Sequence, residues 1–143
     1  MKGHSGETNR GATEDLENTD ENRLTHAVIG AAMEVHRLLG PGLLECIHEE
    51  APCHELGLRG IRFERQKPVD VIYKDIAIKG QRLDLLIEGV LVIELKSVSK
   101  LPELAIAQAL SYLRATGLKR ALIINFGQEL LKDGIKRISL CPP

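Results

Sequence analysis

Apolar residues recur at three- and four-residue spacing from Leu24 through Val28, Ala31, Val35 and Leu38, and the run ends at Gly40-Pro41-Gly42. That period predicts an amphipathic helix, stopped where glycine and proline follow it. Upstream, residues 1–22 hold one leucine among Gly, Ser, Thr, Asn, Asp and Glu and show no hydrophobic period. They predict a flexible acidic tail ahead of a single domain over residues 23–143. A second helical stretch, from about Leu43 to Leu56, puts Leu44, Ile47 and Ala51 on one face. Pro52 lies inside it, and an interior proline removes one helical hydrogen bond and clashes with the preceding turn, so a kink or stop is expected there.

Past Gly60 the period shortens towards two. Ile61–Gln66, Val69–Tyr73, Ile76–Ile78 and Leu83–Ile87 are short β-like runs split by Lys-Pro, Lys-Asp and Lys-Gly-Gln, and the run from Val90 to Leu95 is the strongest strand signal. Leu104, Ala107, Leu110, Ser111 and Leu113 return to helical spacing, with Gly117 as the stop. The apolar run Ala121–Phe126 predicts a strand buried on both faces, and Ile135–Leu140 a final edge strand. The order is helix, helix, several strands, helix, strand, strand, which predicts an α/β domain with a mixed sheet.

Composition changes this picture little. The 143 residues are 43% hydrophobic and 27% charged, as expected of a globular chain long enough for one core. No apolar run approaches the roughly 18 residues of a membrane span, and no apolar segment follows the N-terminal Met, which predicts a cytoplasmic protein without a membrane partner. Cys46, Cys53 and Cys141 lack framework spacing and predict reduced thiols. Charge does alter the functional reading. Residues 1–23 carry three basic and six acidic side chains, leaving 16 basic and 14 acidic beyond them. So small a surplus, with two Phe, two Tyr and no Trp, excludes neither a phosphate-backbone partner nor its absence, but makes a base-stacking platform an unfavoured design.

The chemistry concentrates where apolar strands are interrupted. Glu94 and Lys96, two apart, project from one face of a strand otherwise made of Val, Leu and Ile. Asp84 interrupts the preceding strand among Leu83, Leu85, Leu86 and Ile87. Buried charges persist when paired or when they bind a metal. Two carboxylates can hold Mg²⁺ while waters and a phosphate complete its octahedron, and a neighbouring ammonium can orient water or hold the phosphate. The alternative reading is an Asp–Lys–Glu ion cluster with no ligand. The metal reading constrains the hairpin. A two-residue turn at Glu88-Gly89 would pair Asp84 with Ile93 and send the carboxylates to opposite faces, whereas a three-residue connection such as Ile87-Glu88-Gly89, or a bulge, restores a shared face.

Other clusters weigh less. Cys46, His48, Cys53 and His54 do not follow a zinc-ligand pattern. His26 and His36 are expected as partly exposed or hydrogen-bonded helix residues. Ser97 and Ser99 follow Lys96 without the positioned His–acid pair of serine hydrolysis.

Asp84, followed ten positions later by Glu94-Leu95-Lys96, resembles the D…(D/E)xK core of the PD-(D/E)XK nucleases, whose αβββαβ order matches the order above. The closer resemblance, over about residues 24–139, is to the GxxExxY proteins, a branch of that superfamily. Gly42-Leu-Leu-Glu45, Glu49-Glu50-Ala51, Phe63-Glu-Arg-Gln66, Ile93–Lys96, Ala115–Leu118 and Ile124–Gly127 carry it, with His48 in place of the motif's Tyr. The resemblance implies a PD-(D/E)XK nuclease-like α/β fold with a mixed central sheet flanked by helices, and a Mg²⁺- or Mn²⁺-dependent nuclease acting on DNA before RNA. By resemblance, Asp84 and Glu94 are the main metal ligands, the Leu95 carbonyl and Glu45 further ones, and Lys96 the catalytic lysine. Gln108 and Tyr112, one helical turn apart, look like the QxxxY element that supports the active site or DNA. The competing expectation is a catalytically inactive module that binds nucleic acid or a partner protein. In either case the weak basic surplus leaves room for a homodimer or partner to complete substrate capture.

Overall fold

The computed structural model describes the backbone of residues 4–42 and 44–140 and, within that range, side chains from Asp20 onward. Helices α1 (His4–Leu39) and α2 (Glu45–Leu58) precede strands β1 (Phe63–Tyr73), β2 (Ile76–Ile87) and β3 (Leu91–Lys96), and helix α3 (Glu103–Thr116) leads to β4 (Arg120–Asn125) and β5 (Ile135–Ser139). The strands form one sheet in the order β1-β2-β3-β4-β5. Only β3 and β4 run parallel, as the intervening α3 crossover requires, so the sheet is mixed.

Two apolar cores cover the two faces of the sheet. Val28, Ala31, Ala32 and Val35 of α1 and Cys53 and Leu56 of α2 pack with Leu85, Ile87, Leu91, Ile93, Leu95, Leu122, Ile124 and Phe126 on one face. Ala105, Ala109 and Leu113 of α3 pack with Val69, Leu83, Leu86, Val92, Ala121, Ile123 and Ile138 on the other. This is a three-layer α/β domain with β3 and β4 buried on both sides, which is why their sequences are apolar without alternation.

Four local expectations are corrected. Helix α1 begins at His4, well before the apolar period that starts at Leu24. The intervening residues contain no proline, and propagating a helix is far less costly than nucleating one. Helix α2 does not stop at Pro52 but carries it as a buried interior residue. Its buried face is His48, Pro52, Cys53 and Leu56, while Leu44 and Ile47 are exposed, because contact with the sheet and not the count of apolar residues sets the rotation of so short a helix. Similarly, α3 buries Ala105, Ala109 and Leu113 and leaves Leu104 exposed, small side chains letting the helix approach the sheet closely. The four runs assigned between Ile61 and Ile87 are two long strands. Pro68 is accommodated because β1 is an edge strand, and the register shifts between Val69 and Val71. Cys46 and Cys53 are free thiols, and Cys141 lies outside the described residues.

A candidate metal centre where β2 leaves β3

The β2–β3 hairpin sets the site. Ile87 pairs with Leu91, so Glu88, Gly89 and Val90 form a three-residue connection, one position later than Ile87-Glu88-Gly89. Glu88 and Gly89 are both left-handed, at φ 51° and 74°, and the Val90 N–H donates to the Ile87 carbonyl at 3.0 Å. Val90 is thus the extra residue beyond a tight turn, and it brings Asp84 opposite Glu94 instead of Ile93.

The ladder between β2 and β3 ends at Leu85–Ile93, although β3 continues beside β4 as far as Lys96–Asn125. Side chains replace the missing backbone pairs. Asp84 Oδ2 accepts the Leu95 N–H at 2.8 Å. Asp84 also lies close enough to Glu94 for its charge to act on the Glu94 carboxyl. Leu83 and Leu85 lie in opposite cores although two apart, so β2 breaks its alternation at Asp84. Opposite, Gln66 leaves the β1 ladder between the pairs Arg65–Leu85 and Lys67–Leu83, with φ 50°. Its Nε2 lies 2.5 Å from Glu49 Oε1 and 3.5 Å from Asp84 Oδ1, so an amide spans a carboxylate on α2 and one on β2.

Glu94 is the anomalous group. It is 6% exposed and, among the described residues, its Oε1 has no hydrogen-bond partner. Burial, then the charge on Asp84, push its carboxyl up to about 8, while Lys96 and the Asp84 N–H pull the other way. Lys96 is half-buried and, among the described residues, forms no ion pair within 4 Å. Tyr112, half-buried on α3, has its phenol raised by burial and by the charges of Glu94 and Asp84. Gln108, a turn earlier, is exposed.

On the α2 side, a cleft of about 200 Å³ is lined by Glu45, Cys46, Glu49, Gln66, Asp84 and Leu95. Glu45 opens α2 and is exposed at this cleft. The sequence does not single out Glu49 as a site residue, although Glu49-Glu50-Ala51 belongs to the motifs that carry the family resemblance. Its link to Asp84 through Gln66 depends on a left-handed backbone that spacing does not reveal. Arg65 pairs with Glu49 at 3.2 Å and Glu50 at 2.7 Å and partly neutralises this rim.

The donor set fits a hard divalent cation held by two carboxylates. Two acids forced together, one with a buried and unpaired oxygen, are an arrangement that a cation relieves, and Mg²⁺ needs only one or two protein carboxylates. It is not a three-acid cage: among the described residues no three His, Cys, Asp or Glu side chains gather closely enough to hold an ion. Cys46, His48, Cys53 and His54 are likewise not assembled, since Cys46 and His54 are exposed while His48 and Cys53 are buried.

The raised carboxyl of Glu94 has a thermodynamic consequence. Its folded value lies above the ordinary 4.5, so the folded chain binds a proton that the unfolded chain releases. Stability without metal is therefore expected to be greatest below about 4.5 with respect to this group and to fall as pH rises towards 8. Thermal midpoints measured in chelator should show this decline. Glu94→Gln should flatten it, and an equal slope in the variant would assign the decline to other groups.

Among the described residues, no helix is long and apolar enough to cross a membrane. No curated protein and no solved structure matches the chain. Residues 22–138, which include both cores and every side chain of the centre, match the family model of the PD-(D/E)XK nuclease superfamily, and the chain belongs to that superfamily.

Proposed function

We propose that this protein is a metal-dependent nuclease that hydrolyses phosphodiester bonds in nucleic acid, DNA in preference to RNA, with Mg²⁺ or Mn²⁺. Within its superfamily we place it in the GxxExxY branch, on Gly42, Glu45 and the accompanying motifs. One observation carries the functional reading: at the end of an apolar hairpin Asp84 and Glu94 come together with Lys96 near them and, among the described residues, neither the buried Glu94 Oε1 nor the lysine has a hydrogen-bond or ion-pair partner. A structural ion cluster would pair that lysine.

Asp84 and Glu94 would hold the ion, with the Leu95 carbonyl and Glu45 at the α2 cleft as further oxygen donors. When bound, the ion lowers the pKa of water and stabilises charge on the phosphate. The remaining work falls to the chain. Asp84 is oriented by the Leu95 N–H, which it accepts through Oδ2. The Lys96 ammonium donates to water or to a phosphate oxygen at the mouth of the site. Tyr112 offers a phenolic donor beside both carboxylates, and Gln108 an exposed amide one turn away.

The test is Mn²⁺ titration by calorimetry on wild type and Asp84→Ala, with cleavage of single- and double-stranded DNA and RNA. Wild type should bind Mn²⁺ and cut, and Asp84→Ala should do neither. A wild-type protein that binds no divalent ion at millimolar concentration and cuts nothing would instead be a non-catalytic module for nucleic acid or a partner protein.

A further inference from the structure

The residues after Lys96 have little burial to order them. Ser97 is half-buried, Val98, Ser99 and Lys100 are exposed, and the segment has no regular secondary structure. Side chains from three other places nevertheless hold it residue by residue. The Lys96 carbonyl accepts the Phe126 N–H at 2.8 Å. Ser97 Oγ is hydrogen-bonded to His48 Nδ1 at 2.9 Å, and the His48 ring is itself fixed by stacking on Phe126, 4.7 Å between centroids and 10° between planes. Both backbone groups of Val98 are taken by Asn125, whose Oδ1 accepts the Val98 N–H and whose Nδ2 donates to the Val98 carbonyl, each at 2.9 Å. The same Oδ1 accepts the Gly127 N–H at 3.0 Å. Finally, Gln128 Nε2 donates to the Ser99 carbonyl at 2.8 Å.

Glycine at 127 is part of the device. A Cβ there would stand 2.2 Å from the Val98 carbonyl oxygen, so only glycine lets the two backbones approach this closely. Asn125 is also the β4 partner of Lys96, and at 1% exposure it sits where the parallel ladder ends. Its amide acts as one more rung, continuing the pairing for a residue that has left the strand.

We propose that Asn125, Gln128 and His48 are positioning residues that clamp Ser97–Ser99 and thereby fix the direction in which Lys96 presents its ammonium to the metal centre. This rests on the nuclease reading above. None of the three touches Asp84 or Glu94 among the described contacts, so the clamp serves the lysine and not the ion. A lysine has a flexible four-carbon stem, and efficient proton or phosphate contact needs it held near one geometry.

The experiment compares wild type, Asn125→Ala, Gln128→Ala and Ile138→Val, the last a core trim in β5 that matches a modest loss of thermal midpoint without touching the clamp. In both clamp variants kcat should fall by about tenfold or more, with KM and Mn²⁺ affinity within about twofold of wild type, while Ile138→Val keeps its kcat. Independently of activity, amide hydrogen exchange at Val98 and Gly127 should speed up by at least about tenfold in Asn125→Ala, with Ile93 unchanged. An active wild type whose clamp variants retain kcat overturns the proposal and leaves the nuclease reading intact. So does unchanged exchange at Val98. A wild type that cuts no nucleic acid overturns both readings together.

Discussion

Replacing Lys96 by alanine is expected to lower phosphodiester cleavage by about 10²-fold or more while leaving Mn²⁺ affinity equal or slightly raised. The lysine charge pulls the Glu94 carboxyl down, so its removal favours any cation at the carboxylates, and a divalent ion gains more than a proton. Stability should change little, since among the described residues Lys96 has no ion pair to lose. A purely structural cluster makes the opposite prediction. There the variant would leave two repelling carboxylates uncompensated, lose a few kcal/mol of stability, and show no activity to lose. Midpoint, calorimetric affinity and cleavage on the same preparation separate the cases, and a large loss of midpoint with intact cleavage would end the catalytic role given to Lys96.

Asp84 should show the largest effect of any single residue because it holds two functions that different substitutions separate. Asp84→Ala removes a charge facing Glu94 and strands the N–H of Leu95, a residue 2% exposed. An orphaned buried donor costs about 1–3 kcal/mol, so the midpoint should fall by several degrees while metal binding and cleavage both disappear. Asp84→Asn keeps an oxygen for the Leu95 N–H and so should hold its midpoint close to wild type. It should still bind no Mn²⁺ measurably at millimolar concentration. In that variant the Glu94 carboxyl should fall towards its ordinary range, since the charge on Asp84 is the second cause of its elevation after burial. Equal Mn²⁺ affinity in wild type and both variants would remove Asp84 from any metal site.

Much of this arrangement was legible before the fold. Asp84, Glu94 and Lys96 stood out because charge inside an apolar strand is costly, and that cost does not depend on knowing the neighbours. The hairpin parity was legible too, since side chains alternate with period two and only an odd connection puts positions 84 and 94 on one side. The structure moved that connection by one residue, to Glu88-Gly89-Val90. Tyr112 is half-buried and feels the charges of both carboxylates, whereas its spacing partner Gln108 is exposed.

What the sequence could not convey is what depends on which surface a segment meets. The rotation of α2, with His48 inward and Ile47 outward, is decided by the sheet and by Phe126, both distant from it in the chain. The continuation of α2 through Pro52 follows from that same packing, which supports both halves of a helix that propensity alone would divide. The Gln66 bridge from Glu49 to Asp84 and the grip of Asn125 on Val98 arise from a left-handed residue and a ladder end, neither of which has a period to detect. The chain by itself therefore determined which residues carry charge into the core and how the strands must be phased, because burial cost and alternation are local. The tertiary structure alone decided which helix residues reach that charge and how the lysine strand is held, because hydrogen bonds between distant segments exist only once the layers have packed.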